Sequence, residues 1–382
     1  MKPLYILSFL AILLSNSTVG QDLHFSQYES LPPLLNPALT GFMSGNDETD
    51  LRVGVIHRNQ WSSFLGDAAF STTGASFDMS NCFPSGSDKR QNSRSHKSSN
   101  PTWGLGLGII HDESGVLSVK DITNKGFALH RTHIQSSLSI LMPFYDKLFV
   151  GGGFRFGGIL HRLRTEHLRF DEQFDGVAGF DPNIVGEFDD QSVLNATMFD
   201  IGGGLSALYL DDDFASMAGI AIDHIIVPVA YDWMISPELP QLSRKFSAHL
   251  KMSIALKSWR SGLFGINPRA ILLVQSPHQQ LLSGADFFFR WDHGSAVTIG
   301  GGWRATRTVD AFREESILLG LGYIVDNFRF SFSYDINQST LRAVSRRYGA
   351  LEFSMTYQWK KQNGNCPALS GCDQEVAHAI FY

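Results

Sequence analysis

Lys245–Lys257 reads KFSAHLKMSIALK. Taken alternately, Phe246, Ala248, Leu250, Met252, Ile254 and Leu256 fall on one side. Lys245, Ser247, His249, Lys251, Ser253, Ala255 and Lys257 fall on the other. Successive side chains of a β-strand point to opposite faces, so this stretch is a strand with one apolar and one polar face. It is long enough to cross a bilayer at a tilt, which takes about ten residues. No charge sits on the apolar face, where Lys or Arg near the bilayer midplane would cost about 2–4 kcal/mol.

The same phase recurs along the chain. Phe328, Phe330, Phe332 and Tyr334 oppose Arg329, Ser331, Ser333 and Asp335, while Leu351, Phe353, Met355, Tyr357 and Trp359 oppose Glu352, Ser354, Thr356 and Gln358. Trp103, Leu105, Leu107 and Ile109 alternate with Gly104, Gly106 and Gly108. Phe199, Ile201, Leu205, Ala207 and Tyr209 alternate with Asp200, Gly202, Gly204 and Ser206. Glycine on the inner face implies close approach there, and so a crowded or plugged lumen rather than a wide pore. Strands are expected near 51–61, 68–79, 101–111, 124–142, 147–160, 198–210, 214–225, 245–257, 263–275, 281–292, 295–305, 315–325, 327–336 and 348–360. The expected fold is all-β: an antiparallel transmembrane outer-membrane β-barrel of about 14 strands, with an N-terminal extended segment.

Loop lengths test this reading, because such barrels alternate short turns at one end with long loops at the other. Leu210 to Asp213, His293-Gly294 and Asp326-Asn327 read as tight turns; His161 to Asn195, Ile226 to Arg244 and Thr306 to Glu314 read as longer connections. Asn81 to Asn100, polar and rich in Ser, Arg and Lys, breaks the pattern. It is either a periplasmic arm or the sign of a miscounted strand. Trp61, Trp103, Tyr209, Trp291 and Trp359 mark strand ends, as in an interfacial aromatic girdle. A soluble β-sandwich or propeller would also alternate, but no repeat of blade length is present.

Composition agrees. Charged residues are 18%, against about 25% in ordinary soluble domains. The 29 Phe and 36 Gly favour strands and close backbone approach over long helices. A net charge of −6 provides no basic footprint for nucleic acid. Residues 1–20 read as a signal peptide, with Lys2, the apolar run Leu4 to Leu14, and Thr18-Val19-Gly20 before a cut ahead of Gln21. No later stretch approaches the roughly 20 apolar residues of a spanning helix. Cys366 and Cys372 would close a small tail loop, but pairing of Cys82 with either is equally allowed, as are three incidental thiols.

No constellation for chemistry emerges. The chain has no HExxH or CxxC spacing, and His130 and His133, three apart on a strand, point to opposite faces. Ser114 lacks a GxSxG context. The Gly104/Gly106/Gly108 and Gly151-Gly152-Gly153 clusters lie inside strands, so strand packing explains them better than phosphate binding. The acidic stretch from Asp171 and Glu172 through Asp181, Glu187, Asp189 and Asp190 does not follow calcium-loop spacing and reads as a solvated loop. No catalytic residue, cofactor or metal is expected.

Gln21-Asp22-Leu23-His24-Phe25-Ser26-Gln27-Tyr28, then Leu35-Asn36-Pro37-Ala38-Leu39-Thr40-Gly41 and Arg58-Asn59-Gln60-Trp61, resemble the QD-x-x-FSQY, LNPA-x-x-G and R-x-QW elements of the PorP/SprF family. Ser333-Tyr334-Asp335 is similar to that family's GYSYD strand, with Ser331 and Phe332 replacing its glycine and tyrosine, and Cys366-Pro367-Ala368 to its tail element. The resemblance is sharp over 21–61, diffuse in the middle and moderate over the last third. The polar insertion around Asp88 to Ser99 and the tail from Gly371 depart from it. It implies a non-catalytic outer-membrane protein of the type IX secretion and gliding machinery of Bacteroidetes. Its partners would be subunits of that system, secreted surface adhesins as cargo, and outer-membrane lipid. Phe25, Ser26, Gln27, Tyr28, Asn36, Pro37, Gly41, Arg58, Gln60 and Trp61 become candidate contact residues. The division expected is a signal peptide 1–20, a plug or contact segment 21–50, the barrel 51–360 and a tail 361–382. Pro32, Pro33 and Pro37 make Ser30 to Gly41 a poor continuous strand. An autonomous porin for small solutes is the main rival, and a secreted β-rich adhesin the second.

Overall fold

Strands that each carry one apolar face leave two unpaired edges in an open sheet, and closure removes both. The computed structural model describes residues 25–43, 49–65, 69–82, 101–114, 129–145, 147–163, 174, 195–211, 213–226, 242–307, 311–343 and 345–360. Among them fourteen strands run in chain order around a closed barrel, each antiparallel to its neighbours. The first seven are β1 (Thr49–Gln60), β2 (Phe70–Cys82), β3 (Thr102–Ser114), β4 (Leu129–Tyr145), β5 (Leu148–Leu163), β6 (Asn195–Leu210) and β7 (Phe214–Asp223). The second seven are β8 (Lys245–Trp259), β9 (Gly262–Gln275), β10 (His278–Trp291), β11 (Ala296–Arg307), β12 (Phe312–Val325), β13 (Phe328–Asn337) and β14 (Tyr348–Lys360). β1 pairs with β14, closing the ring. No helix among the described residues is long and apolar enough to cross a membrane.

The wall is inside out relative to a soluble protein. Leu107, Phe154 and Ile299 are 55%, 70% and 62% exposed, while Asp78 and Glu352 are fully buried. On β8, Ser247, His249, Lys251 and Ser253 face inward as the alternation requires. Aromatic side chains gather where β8, β9 and β10 approach the tight-turn end: Trp259 and Phe289 stand 6.3 Å apart, and Phe289 and Trp291 5.1 Å.

Turn lengths differ from the expected strict alternation at three places. The connections 146–147, 211–213, 260–261, 292–295 and 326–327 share one end with the start of β1 and the end of β14. At the opposite end the β9–β10 connection is only 276–277, and 308–311 is short too. On the tight-turn end 83–101 is long. Cys82 pairs opposite Thr102, so β2 and β3 are direct neighbours and a miscounted strand is not the reason. Residues 83–100, the acidic stretch apart from Phe174, and Cys366 and Cys372 lie outside the described residues.

Candidate functional site

Residues 25–43 do not join the sheet; they lie inside it. Proline lacks an N–H and fixes φ, so Pro32, Pro33 and Pro37 favour short turns over a strand ladder. The segment forms a 3-10 turn at Tyr28–Ser30, one α-helical turn at Pro32–Leu35 and a second 3-10 turn at Pro37–Leu39. The Asn36 side chain accepts the Ala38 N–H at 2.9 Å and caps the last turn. Gly41 turns the chain onward at φ +70°. Ser26 sits near the long-loop end beside Arg58, and Phe42 near the tight-turn end beside Arg52, so the segment runs down the lumen.

Charged anchors hold it. Near the long-loop end Arg58 bonds Asp335 at 3.1 Å and pairs with Glu352, while Arg304 bonds Asp335 at 2.8 Å. Ser26 enters this cluster: its hydroxyl lies 2.8 Å from Asp335 Oδ2 and accepts from Arg58 at 2.9 Å. The Ser26 and Gln27 N–H groups donate to the two Glu352 oxygens at 2.7 and 2.9 Å. Register shifts at Arg304/Ala305 and Asp335/Ile336 adjoin two of these residues, and bulges of this kind re-aim side chains.

Midway, Glu29 pairs with Lys251 at 2.5 Å and Arg269 at 3.3 Å, and Arg269 reaches Asp286 at 3.1 Å. Burial by itself would raise the Glu29 carboxyl; Lys251, Arg269 and Arg329 outweigh it and bring it down to about 2. Arg155, paired with Asp223, donates to the Leu34 carbonyl at 3.0 Å. Near the tight-turn end Arg52 bonds Asp78 and donates to the carbonyls of Phe42 and Leu39. The Gly41 N–H donates to Asp78 at 2.7 Å.

Packing complements the charges. Tyr28 sits among Ile271, Leu282 and Leu318; Leu39 and Phe42 sit in a larger apolar cluster with Phe149, Leu208, Met217 and Phe288. The inward glycines make space for backbone. A Cβ on Gly153 would come 2.5 Å from the Pro37 carbonyl, and one on Gly104 would run into the Thr40 carbonyl. Asn36 donates to the carbonyls of Leu205 at 3.1 Å and Ile220 at 3.2 Å, and lies 3.1 Å from His249. A cavity of about 70 Å³ between Phe25, Leu31, Leu34 and the wall leaves room for a few waters.

Of the ten residues singled out in the sequence, Ser26, Gln27, Asn36, Gly41 and Arg58 make these contacts directly. Pro37 and Tyr28 pack in the lumen, and Phe25 lines the small cavity. Gln60 and Trp61 instead line a vestibule of about 1120 Å³ at the long-loop end, where Trp61 meets Phe70 edge-on at 5.5 Å. The motifs give no sign of Arg304, Asp286 or Asp78, and they do not single out Glu29 although it directly follows Tyr28. Polar charge on the inner strand face was the available signal, and it does not say which charges meet. Each anchor carboxylate is engaged by cations or plug N–H groups, an arrangement that holds a segment in place rather than one that presents a nucleophile.

A family model described as type IX secretion system membrane protein PorP/SprF matches residues 17–357. No curated protein matches the chain. Among solved structures, the Ralstonia pickettii toluene transporter TbuX is 13% identical with a TM-score of 0.43, covering 92% of this chain and 97% of its own. A Pseudomonas aeruginosa FadL homologue is 10% identical with a TM-score of 0.46, covering 85% and 92%. The beta domain of the Bordetella autotransporter BrkA is 8% identical with a TM-score of 0.36, covering 82% and 99%.

Proposed function

The chain belongs to the PorP/SprF family of type IX secretion system membrane proteins, and from this we propose that it is a non-catalytic outer-membrane component that supports secretion or surface anchoring of particular cargo, such as adhesins. The observation that carries the reading is the lumen filled by its own residues 25–43, held by buried ion pairs. A wall that commits its inward charges to this plug has few left to line a solute path, which weighs against the porin. Exchange with other molecules then falls to the rims. Gln60 and Trp61 face the vestibule at one rim, and the polar connection 83–101 leaves from the other. The remaining motif residues act by keeping the plug seated, and the apolar belt is solvated by lipid.

Mass spectrometry of what co-purifies with an epitope-tagged chain, extracted in detergent from its native outer membrane, tests the proposal. Secretion-system subunits or a large surface protein are the expected companions. Purification alone, together with open channels in planar bilayers, would overturn it in favour of the porin.

A further inference from the structure

The outer wall changes character toward the long-loop end of β3 and β4. Along β3 the exposed Leu105, Leu107 and Ile109 give way to His111 and Glu113; along β4 Ile140, Leu138 and Ile134 give way to Thr132 and His130. Cross-strand register places Glu113 opposite His130 and His111 opposite Thr132. The three side chains of metal-ligand type therefore come from two strands: His111 and Glu113, two apart on β3, share its outer face, and the cross-strand register brings His130 of β4 beside them.

Their geometry is close to what a metal needs. His130 Nδ1 lies 3.1 Å and His111 Nε2 3.4 Å from the same Glu113 Oε1, and all three ligand atoms lie within 4.8 Å of one another. A tetrahedral zinc site with bonds of about 2.0–2.1 Å spaces its ligands by about 3.4 Å, so two of the three edges already have the required length. The two imidazoles stack, with centroids 5.8 Å apart. His111 Nδ1 lies 2.8 Å from Thr132 Oγ1. Donation from Nδ1–H to that hydroxyl leaves the Nε2 lone pair facing Glu113, the outer-shell arrangement that fixes a ligand tautomer.

We propose that His111, Glu113 and His130 form a binding site for a borderline divalent metal of the zinc class, on the outer wall where the apolar belt ends. Two imidazoles and one carboxylate suit such an ion better than magnesium or calcium, which take oxygen ligands. A surface ion pair alone is a weaker account: the His111 and Glu113 side chains are 43% and 48% exposed, and such pairs contribute little. Three ligands leave a fourth position open outward. The bound ion ties β3 to β4 at the root of the 115–128 connection. Arg162 pairs opposite His130 from β5, and its charge works against the cation.

The test uses the full chain in detergent, carrying an epitope tag without histidines, stripped with chelator and titrated with Zn²⁺ by calorimetry and elemental analysis. About one ion per chain is expected to depend on this site. His111→Gln and His130→Gln each weaken that binding roughly tenfold or more, Arg162→Gln tightens it, and His57→Gln, outward on β1 beside Thr73, leaves it unchanged. Cobalt loading of the unmutated chain gives tetrahedral absorption bands, a readout independent of how any variant folds. Absence of those bands, or Zn²⁺ binding that persists in the correctly folded double histidine variant, would overturn the proposal.

Discussion

Gly152 and Gly153 are neighbours on β5 and face opposite ways. A Cβ on Gly153 would stand 2.5 Å from the Pro37 carbonyl carbon and oxygen and 2.6 Å from the Ala38 nitrogen, whereas one on Gly152 meets only Leu205 Cδ2 at 3.6 Å. Ordinary contact begins at 3.4 Å, so Gly153→Ala forces the plug backbone back by about 0.9 Å. The obstructing atoms are backbone, so no rotamer change relieves the clash. That retreat stretches the Asn36 contacts, now 3.1, 3.2 and 3.1 Å, beyond hydrogen-bonding range. The Asn36 amide nitrogen carries two N–H donors, so two bonds at about 0.5–1.5 kcal/mol each, with an overpacking cost of about 1–3 kcal/mol, set roughly 2–6 kcal/mol against the docked plug. Hydrogen exchange by mass spectrometry reads this directly. Amides of residues 36–42 should exchange at least about twentyfold faster in Gly153→Ala, since 1.4 kcal/mol is tenfold in an equilibrium. Gly152→Ala should match the unmutated chain, with strand content intact in both. Equal exchange in the two variants would refute the seating of residues 36–40 on the inward glycines.

Arg58→Ala leaves Asp335 and Glu352 short of a cation in a buried cluster and should cost about 3–5 kcal/mol, read as a lowered unfolding midpoint in denaturant. Glu29 titrates near 2 when docked, below its ordinary 4.5, so its stabilisation is complete above about pH 4.5 and is withdrawn as pH falls toward 2. Exchange of residues 26–30 should quicken across that interval, and Glu29→Gln should remove that component; a flat profile in the unmutated chain contradicts the assignment. Deleting Asp22–Gly41 should turn a chain of low conductance in planar bilayers into an open channel, and unchanged current would mean that the plug does not close the lumen. Leu107→Arg, on the lipid face, should cost about 2–4 kcal/mol in folding into vesicles, while full tolerance would place that face out of the membrane.

Particular residues show how far the sequence could be read. The alternation in Lys245–Lys257 assigned Ser247, His249, Lys251 and Ser253 to the inner face, and that is where they lie. The same reading placed all fourteen strands to within a few residues at most ends. β10 begins at His278 rather than near 281, because Ser276 and Pro277 complete a two-residue turn. Ser26 and Arg58 stood out only through a motif, with no local reason for either. Ser26 meets Glu352 and Asp335 across more than 300 residues of chain, and Arg58 meets Asp335, the partner of Arg304, from the far end of the chain. His111 and His130 are likewise joined by register between strands, which no spacing along one strand can reveal.

The sequence by itself determined that the chain is a barrel-type run of about fourteen strands, the face each side chain takes and the crowding that inward glycines imply, because alternation is written residue by residue in the local chain, while the pairing of β2 with β3 fixed the count. Only the tertiary structure decided which charges meet, how residues 25–43 thread the lumen and which side chains face one another across strands. Those outcomes depend on closure, which turns positions hundreds of residues apart into neighbours and takes their charges out of water together.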